Sequence, residues 1–260
     1  MPMIDADGCL LNVSVEGRDG GPTLMLSNSL GTTMQMWEPQ MAALTKLFRV
    51  IRYDRRGHGK SGGPGGPTSM ERYGRDVLAI LDDLNIDRVH WCGLSMGGMV
   101  GQWLGANAPE RFDRIILSNT SSYYPDPTNW HNRIKAVREG GLAAVADTVI
   151  AGWLTADFRE REPETTAKMK AMLIASQVEG YLAACEALST LDQRALLPKI
   201  KSPTLVIAGR QDNATPVAAG ELIRSNIPGA SMTLLDAAHI SNVEQPYAFT
   251  DAVVGFLTQR

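Results

Sequence analysis

Three residues of this 260-residue chain carry the functional groups of nucleophilic catalysis: Ser95, Asp212 and His239. A serine hydroxyl is a poor nucleophile at neutral pH, so it needs a base to accept its proton and an acid to orient that base. Such a set cleaves esters and other acyl compounds through a covalent acyl-enzyme. The three residues therefore predict acyl transfer, on condition that the fold brings them together.

Ser95 has the sequence context of a nucleophile. It lies in G-L-S-M-G at positions 93–97, between a short apolar run at 89–92 and a stretch with helical spacing at 96–106. In a strand–turn–helix, G-x-S-x-G forms a nucleophile elbow, with the serine exposed on a strained turn. The glycines let the strand and the helix approach each other. The alternative is a glycine-rich turn whose serine is inert.

The acid and the base follow two later strands. Asp212 comes just after the strand predicted at 204–208, and His239 just after the strand predicted at 231–235. The carboxyl ends of parallel strands lie at one edge of a sheet, where the elbow also points. Asp236 competes as the acid, but it is three residues from His239 and follows the wrong strand. The alternative for Asp212 is a turn aspartate that precedes Pro216.

The remaining candidates for these two roles are weaker. His90 lies inside a predicted strand, and His131 lies on a predicted helix of the central segment. His58 lies in a glycine-rich loop and is expected to be structural. Asn119 follows a strand, but its amide carries no charge and cannot replace a carboxylate.

Two backbone N–H groups are expected to stabilise the oxyanion that forms when Ser95 attacks an acyl group. One belongs to Met96, directly after the serine. The other should come from the loop that follows the strand at 23–27, and Leu30 is the residue we select. The alternative is that 28–31 is only a turn.

Strand and helix patterns alternate on both sides of a purely helical segment. Strands are predicted at 10–15, 23–27, 48–53, 89–92, 115–119, 204–208 and 231–235, with helices at 37–47, 69–84, 96–106, 216–225 and 246–257. This alternation predicts a parallel sheet covered by helices on both faces. Helices are predicted at 128–139, 142–153, 163–176 and 178–189. We therefore expect an α/β core at 1–120 and 195–260, interrupted by a helical cap at 121–194.

Composition excludes several classes of function. The chain is 44% hydrophobic and 20% charged, with a net charge of −3 and no basic run, so nucleic acid is not an expected partner. It has no signal-peptide pattern at 1–10 and no apolar stretch of about 20 residues, so no membrane partner is expected. The cysteines at 9, 92 and 185 have no metal-ligand spacing, which favours the reduced state and a cytoplasmic location.

The stretch D-R-R-G-H-G-K-S at 54–61 ends like a phosphate-binding P-loop. A P-loop needs glycine at the first position, where this chain has Asp54, and a helix after the serine, where it has G-G-P-G-G-P at 62–67. The acid would repel a phosphate. Nucleotide binding is therefore not expected, and neither a cofactor nor a metal is needed for the predicted chemistry.

Four motifs give the whole chain a resemblance to the α/β-hydrolases: S-N-S-L-G-T at 27–32, Y-D-R-R-G-H-G-K-S at 53–61, G-L-S-M-G-G at 93–98 and G-x-x-D-x-x-T-P at 209–216. The first motif departs from the His-Gly that usually begins this loop, and it is typical of 3-oxoadipate enol-lactonases. The resemblance implies a mostly parallel eight-stranded sheet flanked by helices, with an inserted all-helical cap. It also implies opening of 3-oxoadipate enol-lactone to 3-oxoadipate in the β-ketoadipate pathway of aromatic catabolism.

The implied substrate is a small anionic lactone, so its pocket should be mostly apolar and hold one cation. Trp130 and Arg133 lie on the same face of a predicted helix as two apolar residues. Arg133 is therefore expected to bind the carboxylate of the substrate. The alternative is an arginine that packs its stem on Trp130. The other residues expected at the substrate are Ser29, Met99 and Trp153.

Two rival functions use the same residues. A carboxylesterase for another small acyl substrate would need the same triad. A ligand sensor on the same fold, with slow turnover and a partner that contacts the cap, is the less favoured rival. A cofactor-free haloperoxidase or a carbon–carbon hydrolase fits less well, because Arg133 suits an acidic substrate. The sequence does not predict the oligomeric state.

Overall fold

An eight-stranded sheet runs through the fold of the computed structural model, which describes residues 2–63 and 65–259. The strands are β1 (Met3–Asp5), β2 (Leu10–Gly17), β3 (Thr23–Ser27), β4 (Arg49–Tyr53), β5 (Val89–Leu94), β6 (Phe112–Ser118), β7 (Thr204–Gly209) and β8 (Ser231–Leu235). They lie in the order β1-β2-β4-β3-β5-β6-β7-β8. All pairs from β4 to β8 are parallel, whereas β2 is antiparallel to β1 and β4.

The central strands are apolar on both faces. In β3, Leu24, Met25 and Leu26 are all fully buried, and β6 has a similar run of isoleucine and leucine. Continuous apolar runs of this kind are typical of parallel strands that are covered by helices on both sides. The mostly parallel, helix-flanked sheet expected from the sequence is confirmed.

Five longer helices accompany the sheet. They are α1 (Glu38–Leu47), α2 (Met70–Asp83), α3 (Met96–Asn107), α9 (Val217–Asn226) and α11 (Pro246–Leu257), and a four-residue helix α10 (Ser241–Glu244) precedes the last. Helix α1 packs against α11, and α2 packs against α3. Ser69 caps α2 by accepting a hydrogen bond of 3.1 Å from the Arg72 N–H, so this helix begins where the sequence predicts.

Five further α-helices of the described chain lie between β6 and β7: α4 (Thr128–Gly140), α5 (Ala143–Trp153), α6 (Ala156–Arg161), α7 (Pro163–Ile174) and α8 (Val178–Ser189). We call them the helical insertion. Helix α4 packs against α5 and α8, and α5 packs against α7. The division into a core and a cap at 120/121 and 194/195 stays a prediction. Within the described residues, no helix combines the length and the apolar character that a membrane crossing requires.

Some short elements were not predicted individually. Strand β1 has three residues, too few for an alternating pattern to be recognised in the sequence, and only Ile4 is buried. Its turn to β2 is closed by the Gly8 N–H, which donates to Asp5 Oδ1 at 2.7 Å. Helices α6 and α10 have six and four residues, too few for a helical period to be recognised.

Candidate active site

Ser95 lies on a sharp turn between β5 and α3. Its backbone angles are φ +58° and ψ −116°, a conformation that costs a non-glycine residue on the order of 1–3 kcal/mol. The flanking glycines permit the turn. A Cβ on Gly93 would lie 2.1 Å from the Gly97 carbonyl oxygen, and one on Gly97 would lie 2.2 Å from that of Ser27. The strand and helix therefore meet as an elbow requires.

The structure brings the three predicted side chains into one hydrogen-bonded series. His239 Nε2 lies 2.8 Å from Ser95 Oγ, and His239 Nδ1 lies 2.9 Å from Asp212 Oδ2. All three side chains are buried, so the expectation of an exposed serine on the turn is wrong. An ionised carboxylate only accepts hydrogen bonds, so the imidazole proton lies on Nδ1 and leaves Nε2 free to accept the serine proton. This arrangement is suited to nucleophilic attack by Ser95.

The Asp212 carboxylate is held by several donors besides His239. Oδ1 accepts from the N–H groups of Ala214 and Thr215, both at 2.9 Å, and Oδ2 accepts from Thr215 Oγ1 at 2.7 Å. Burial on its own would raise the pKa of Asp212. The neighbouring His239 and the hydrogen bonds from His239 and Thr215 outweigh burial and hold that pKa below its usual value. Asp212 is therefore ionised wherever His239 can act as a base.

Asn119 supports this acid, a role that the sequence analysis missed. Its Nδ2 donates to Asp212 Oδ2 and to the Ala238 carbonyl, each at 3.1 Å. Its Oδ1 accepts from the hydroxyls of Ser118 at 2.8 Å and Ser241 at 2.6 Å. These four bonds use the full capacity of the amide. Its place directly after β6, at the same sheet edge, was the available signal.

Asp236 does not compete with Asp212 in the structure. It is exposed, and its carboxylate accepts a hydrogen bond of 3.2 Å from Gln211 Nε2. The two weaker histidine candidates also lie elsewhere, since His90 is half-buried in β5 and His131 is exposed on α4.

The two N–H groups selected for the oxyanion have no hydrogen-bond acceptor among the described residues. Leu30 and Met96 are both buried, but neither N–H donates to the protein. On either side of Leu30, the N–H groups of Ser29 and Gly31 do donate to side chains of the protein. The loop therefore leaves one N–H free close to the elbow, as a donor for a developing oxyanion must be.

His58 is hydrogen-bonded to the loop at 28–31. It is fully buried, and its Nε2 accepts a hydrogen bond of 3.2 Å from the Gly31 N–H. Its Nδ1 lies 3.3 Å from the Arg56 carbonyl, which places the proton on Nδ1. Burial, with a smaller effect of the Arg55 charge, lowers the pKa of His58 to about 3. The histidine is thus neutral and structural.

Comparison with known proteins identifies the family. The family model for the alpha/beta hydrolase fold matches residues 22–246. The chain belongs to the α/β-hydrolase family. The hydrolase is 43% identical over 250 residues to 3-oxoadipate enol-lactonase 2 of Acinetobacter baylyi, covering 96% of this chain and 94% of that protein.

Solved structures give the same result. The enol-lactonase from Burkholderia xenovorans LB400 superposes with a TM-score of 0.97 and 44% identity, covering 99% of the hydrolase and all of that chain. A malate-bound thermophilic esterase from Thermogutta terrifontis has a TM-score of 0.90 and 28% identity, with 98% and 96% coverage. The expected resemblance to α/β-hydrolases and enol-lactonases is confirmed, and the hydrolase acts on carboxylic esters.

Arg133 of the hydrolase lies on α4 with its charge uncompensated. The side chain is half-buried, its guanidinium carbon is 5.0 Å from the centre of the Trp130 ring, and no described carboxylate lies within 4.0 Å of it. The Trp130 ring stands edge-on to Tyr124 at 5.2 Å. Burial raises the pKa of Tyr124, and the nearby charges of Asp212 and Arg133 act on that pKa in opposite directions, so both charges lie within electrostatic range of this tyrosine.

The other predicted contacts of the substrate lie around the elbow. Met99 is buried on the first turn of α3, and its N–H donates to the Ser95 carbonyl at 3.1 Å. Ser29 is buried in the loop before Leu30. Trp153 is buried at the end of α5, and its carbonyl accepts a hydrogen bond of 2.9 Å from the Ile240 N–H, next to the histidine. Their roles toward a substrate stay predictions.

Glu244 ties the histidine loop to the helical insertion, which the sequence did not indicate. Its Oε2 accepts from the Ala238 N–H at 2.8 Å, and its Oε1 accepts from the hydroxyl and the N–H of Thr155.

Within residues 2–63 and 65–259, no three His, Cys, Asp or Glu side chains gather as metal ligands would.

Proposed function

We propose that this hydrolase opens 3-oxoadipate enol-lactone to 3-oxoadipate, with Ser95 as nucleophile, His239 as base and Asp212 as the orienting acid. The observation that carries the proposal is the continuous hydrogen-bonded series from Ser95 Oγ through His239 to Asp212. The relatives named as enol-lactonases, which match nearly the full length, support the choice of substrate.

The first half of the reaction forms an acyl-enzyme. His239 Nε2 takes the proton of Ser95 Oγ while that oxygen attacks the lactone carbonyl. The resulting oxyanion accepts hydrogen bonds from the N–H groups of Met96 and Leu30. Collapse of this intermediate breaks the ring C–O bond, and His239 returns the proton to the leaving enolate oxygen. The enol stays attached, because it is part of the same molecule as the acyl group.

The second half releases the product. Water loses a proton to His239 Nε2 and attacks the acyl carbon, again with the oxyanion at the same two N–H groups. The Ser95–acyl bond breaks, and Ser95 recovers its proton from the imidazolium. The freed enol then tautomerises to the ketone, which makes reclosure of the ring unfavourable. Asp212 stays ionised throughout and stabilises the imidazolium.

The substrate carboxylate is bound by Arg133. The guanidinium is half-buried and has no carboxylate partner among the described residues, so the carboxylate of an incoming substrate would balance its charge. The apolar walls are supplied by Trp130, Trp153 and Met99. Ser29 borders the site in the loop at 28–31, which carries the Leu30 N–H and which we call the oxyanion loop. A pocket of this kind fits a small apolar ring with one charged arm.

A carboxylesterase for other small acyl compounds is the second candidate. It is favoured by the likeness to the thermophilic esterase, whose structure holds malate. A slow-turnover sensor is the third, and it would use the same site.

The three free, buried cysteines support a cytoplasmic place of action, where thiols stay reduced.

The deciding experiment is a turnover assay on enol-lactone generated enzymatically from protocatechuate, beside p-nitrophenyl acetate as a neutral ester. We expect kcat on the order of 1–10³ per second for the lactone and a much higher kcat/KM than for the ester. Ser95→Ala should lower kcat by about 10⁴-fold or more. Retention of lactone hydrolysis within tenfold of the unaltered enzyme would overturn the mechanism, and a preference for the ester would favour the carboxylesterase.

A further inference from the structure

Two arginines that are adjacent in the chain, Arg55 and Arg56, differ in how their charges are balanced. Arg56 makes a two-point ion pair with Asp76, with nitrogen–oxygen distances of 2.7 and 2.9 Å. Arg55 is only 2% exposed, yet no described carboxylate lies within 4.0 Å of it. A buried cation without a counter-ion is costly, and arginine keeps its charge even when burial lowers its pKa, as it does here.

Arg55 donates its hydrogen bonds to backbone carbonyls of the oxyanion loop. Its Nη2 donates to the Asn28 carbonyl at 2.5 Å, and its Nη1 makes a longer contact of 3.4 Å with the Ser29 carbonyl. The guanidinium carbon lies 5.6 Å from the centre of the Tyr73 ring, which supplies a further weak attraction. The cation is therefore directed at two consecutive peptide groups.

One of these two peptide groups carries the N–H selected for the oxyanion, and the other joins the loop to α3. The Ser29 carbonyl belongs to the same peptide unit as the Leu30 N–H, which has no acceptor among the described residues. A charged donor on a carbonyl polarises its peptide and makes the N–H of that unit a stronger donor. The Asn28 carbonyl also accepts the Gly97 N–H at 3.1 Å, so it joins the loop to the start of α3 beside Met96.

We propose that Arg55 is a positioning residue of the oxyanion site. It fixes the 28–30 backbone against α3, strengthens the Leu30 N–H as a donor, and adds positive potential where negative charge forms during attack by Ser95. This inference rests on the proposed roles of Ser95, Leu30 and Met96. The ground state carries no negative charge on the reacting oxygen, so the cation acts mainly on the transition state.

The test uses Arg55→Met and Arg55→Lys, with p-nitrophenyl acetate as substrate and butylboronic acid as a probe that forms a tetrahedral anionic adduct with a serine. For Arg55→Met we expect kcat to fall about 10- to 100-fold, less than the loss of a direct donor, while KM stays within about threefold. The inhibition constant of butylboronic acid should rise by a similar factor. Arg55→Lys keeps the charge but not the two-point contact, and should lose about three- to tenfold.

Arg56→Met is the matched control. It removes a neighbouring buried arginine and leaves Asp76 unpaired, so it should destabilise the fold. The folded enzyme should nevertheless keep kcat and the boronate inhibition constant within about threefold. A purely structural role for Arg55 would give both methionine variants the same pattern. Circular dichroism identifies the folded fraction for each variant.

Three outcomes would overturn the inference. The first is a folded Arg55→Met enzyme with unaltered kcat and boronate inhibition. The second is a rise in KM with no change in boronate binding. If Arg55→Met does not fold, unaltered values in Arg55→Lys are the third. Failure of the catalytic proposal itself is distinguished by Ser95→Ala, because that variant would then stay active whatever the Arg55 variants do.

Discussion

The sheet edge and helix α4 of the insertion differ in how their polar groups are paired. At the sheet edge, Asp212 and His239 have their hydrogen-bonding positions filled by the protein, with Asn119 and Thr215 as further partners. On α4, Arg133 has an aromatic ring beneath it and no described carboxylate beside it. The groups that react are held ready, whereas the group proposed for recognition keeps its charge available for the substrate.

This difference follows from what each region must do. A base has to be in one tautomer and one orientation before the substrate arrives, because rearranging it during the reaction would add to the barrier. A cation that binds an anionic substrate gains nothing from a permanent internal partner, since that partner would compete with the substrate. The predictions below test the two regions separately.

The largest effect is expected at the sheet edge. Asp212→Asn should lower kcat by about 10⁴-fold, because an amide donates a hydrogen bond to His239 Nδ1 and so selects the wrong tautomer. Steady-state kinetics on the lactone and on p-nitrophenyl acetate would measure it, and both substrates should lose equally. Asp236→Asn, three residues from the histidine, is the control and should stay within about threefold. A smaller loss in Asp212→Asn than in this control would contradict the triad.

The helical insertion should give a smaller and substrate-dependent effect. Arg133→Gln should raise KM for the anionic lactone by about 10- to 100-fold, the value of one charge-assisted contact, and leave KM for the neutral ester within about threefold. Arg138→Gln is the control, since Arg138 lies on the same helix but pairs with Glu186 at 2.7 Å. Equal changes for both substrates would remove Arg133 from the recognition role and favour stem packing on Trp130.

The smallest expected effect is on the pH dependence of stability, and it arises from the buried His58 in the core. The pKa of His58 is lowered from 6.5 to about 3, so the native state binds fewer protons there than the unfolded chain. The free energy of unfolding therefore keeps its full value at pH values well above 6.5. It decreases progressively as the pH falls from there toward 3, because protons bind to the unfolded chain and not to the native state. Between pH 7.5 and 5.5 the loss should be about 1.4 kcal/mol.

Urea unfolding of the unaltered enzyme and of His58→Asn at the two pH values would measure this loss. The variant should lack that part of the pH dependence, whatever its absolute stability. His131→Asn is the control, because His131 is exposed on α4 and should leave the pH dependence unchanged. Identical pH dependence in the unaltered enzyme and in His58→Asn would contradict the neutral, buried histidine.

The sequence was informative where chemistry depends on local pattern. The glycines around Ser95 predict the elbow because the turn itself requires them, and the strand ends before Asp212 and His239 predict a shared edge because parallel strands impose it. The fold class followed from the alternation of strands and helices. The family resemblance added the eighth strand and the substrate.

The supporting residues could not be predicted in the same way. Asn119 reaches Asp212 across 93 residues of chain, and its place after β6 indicates the shared sheet edge but not this contact. Arg55 reaches Asn28 across 27 residues, and no local pattern indicates that contact. Short elements such as β1 and α6 lack a recognisable period. These features depend on tertiary packing, which brings together side chains whose spacing along the chain carries no signal.

The crowding at the elbow separates the place of the reaction from the identity of the nucleophile. Gly93 and Gly97 are fixed by contacts of 2.1 and 2.2 Å that any added carbon would make with backbone oxygens. The Ser95 side chain is under no such restriction, because the turn already accommodates a Cβ there. The single substitution Ser95→Cys would therefore replace an oxygen nucleophile by a sulfur nucleophile on the same backbone frame.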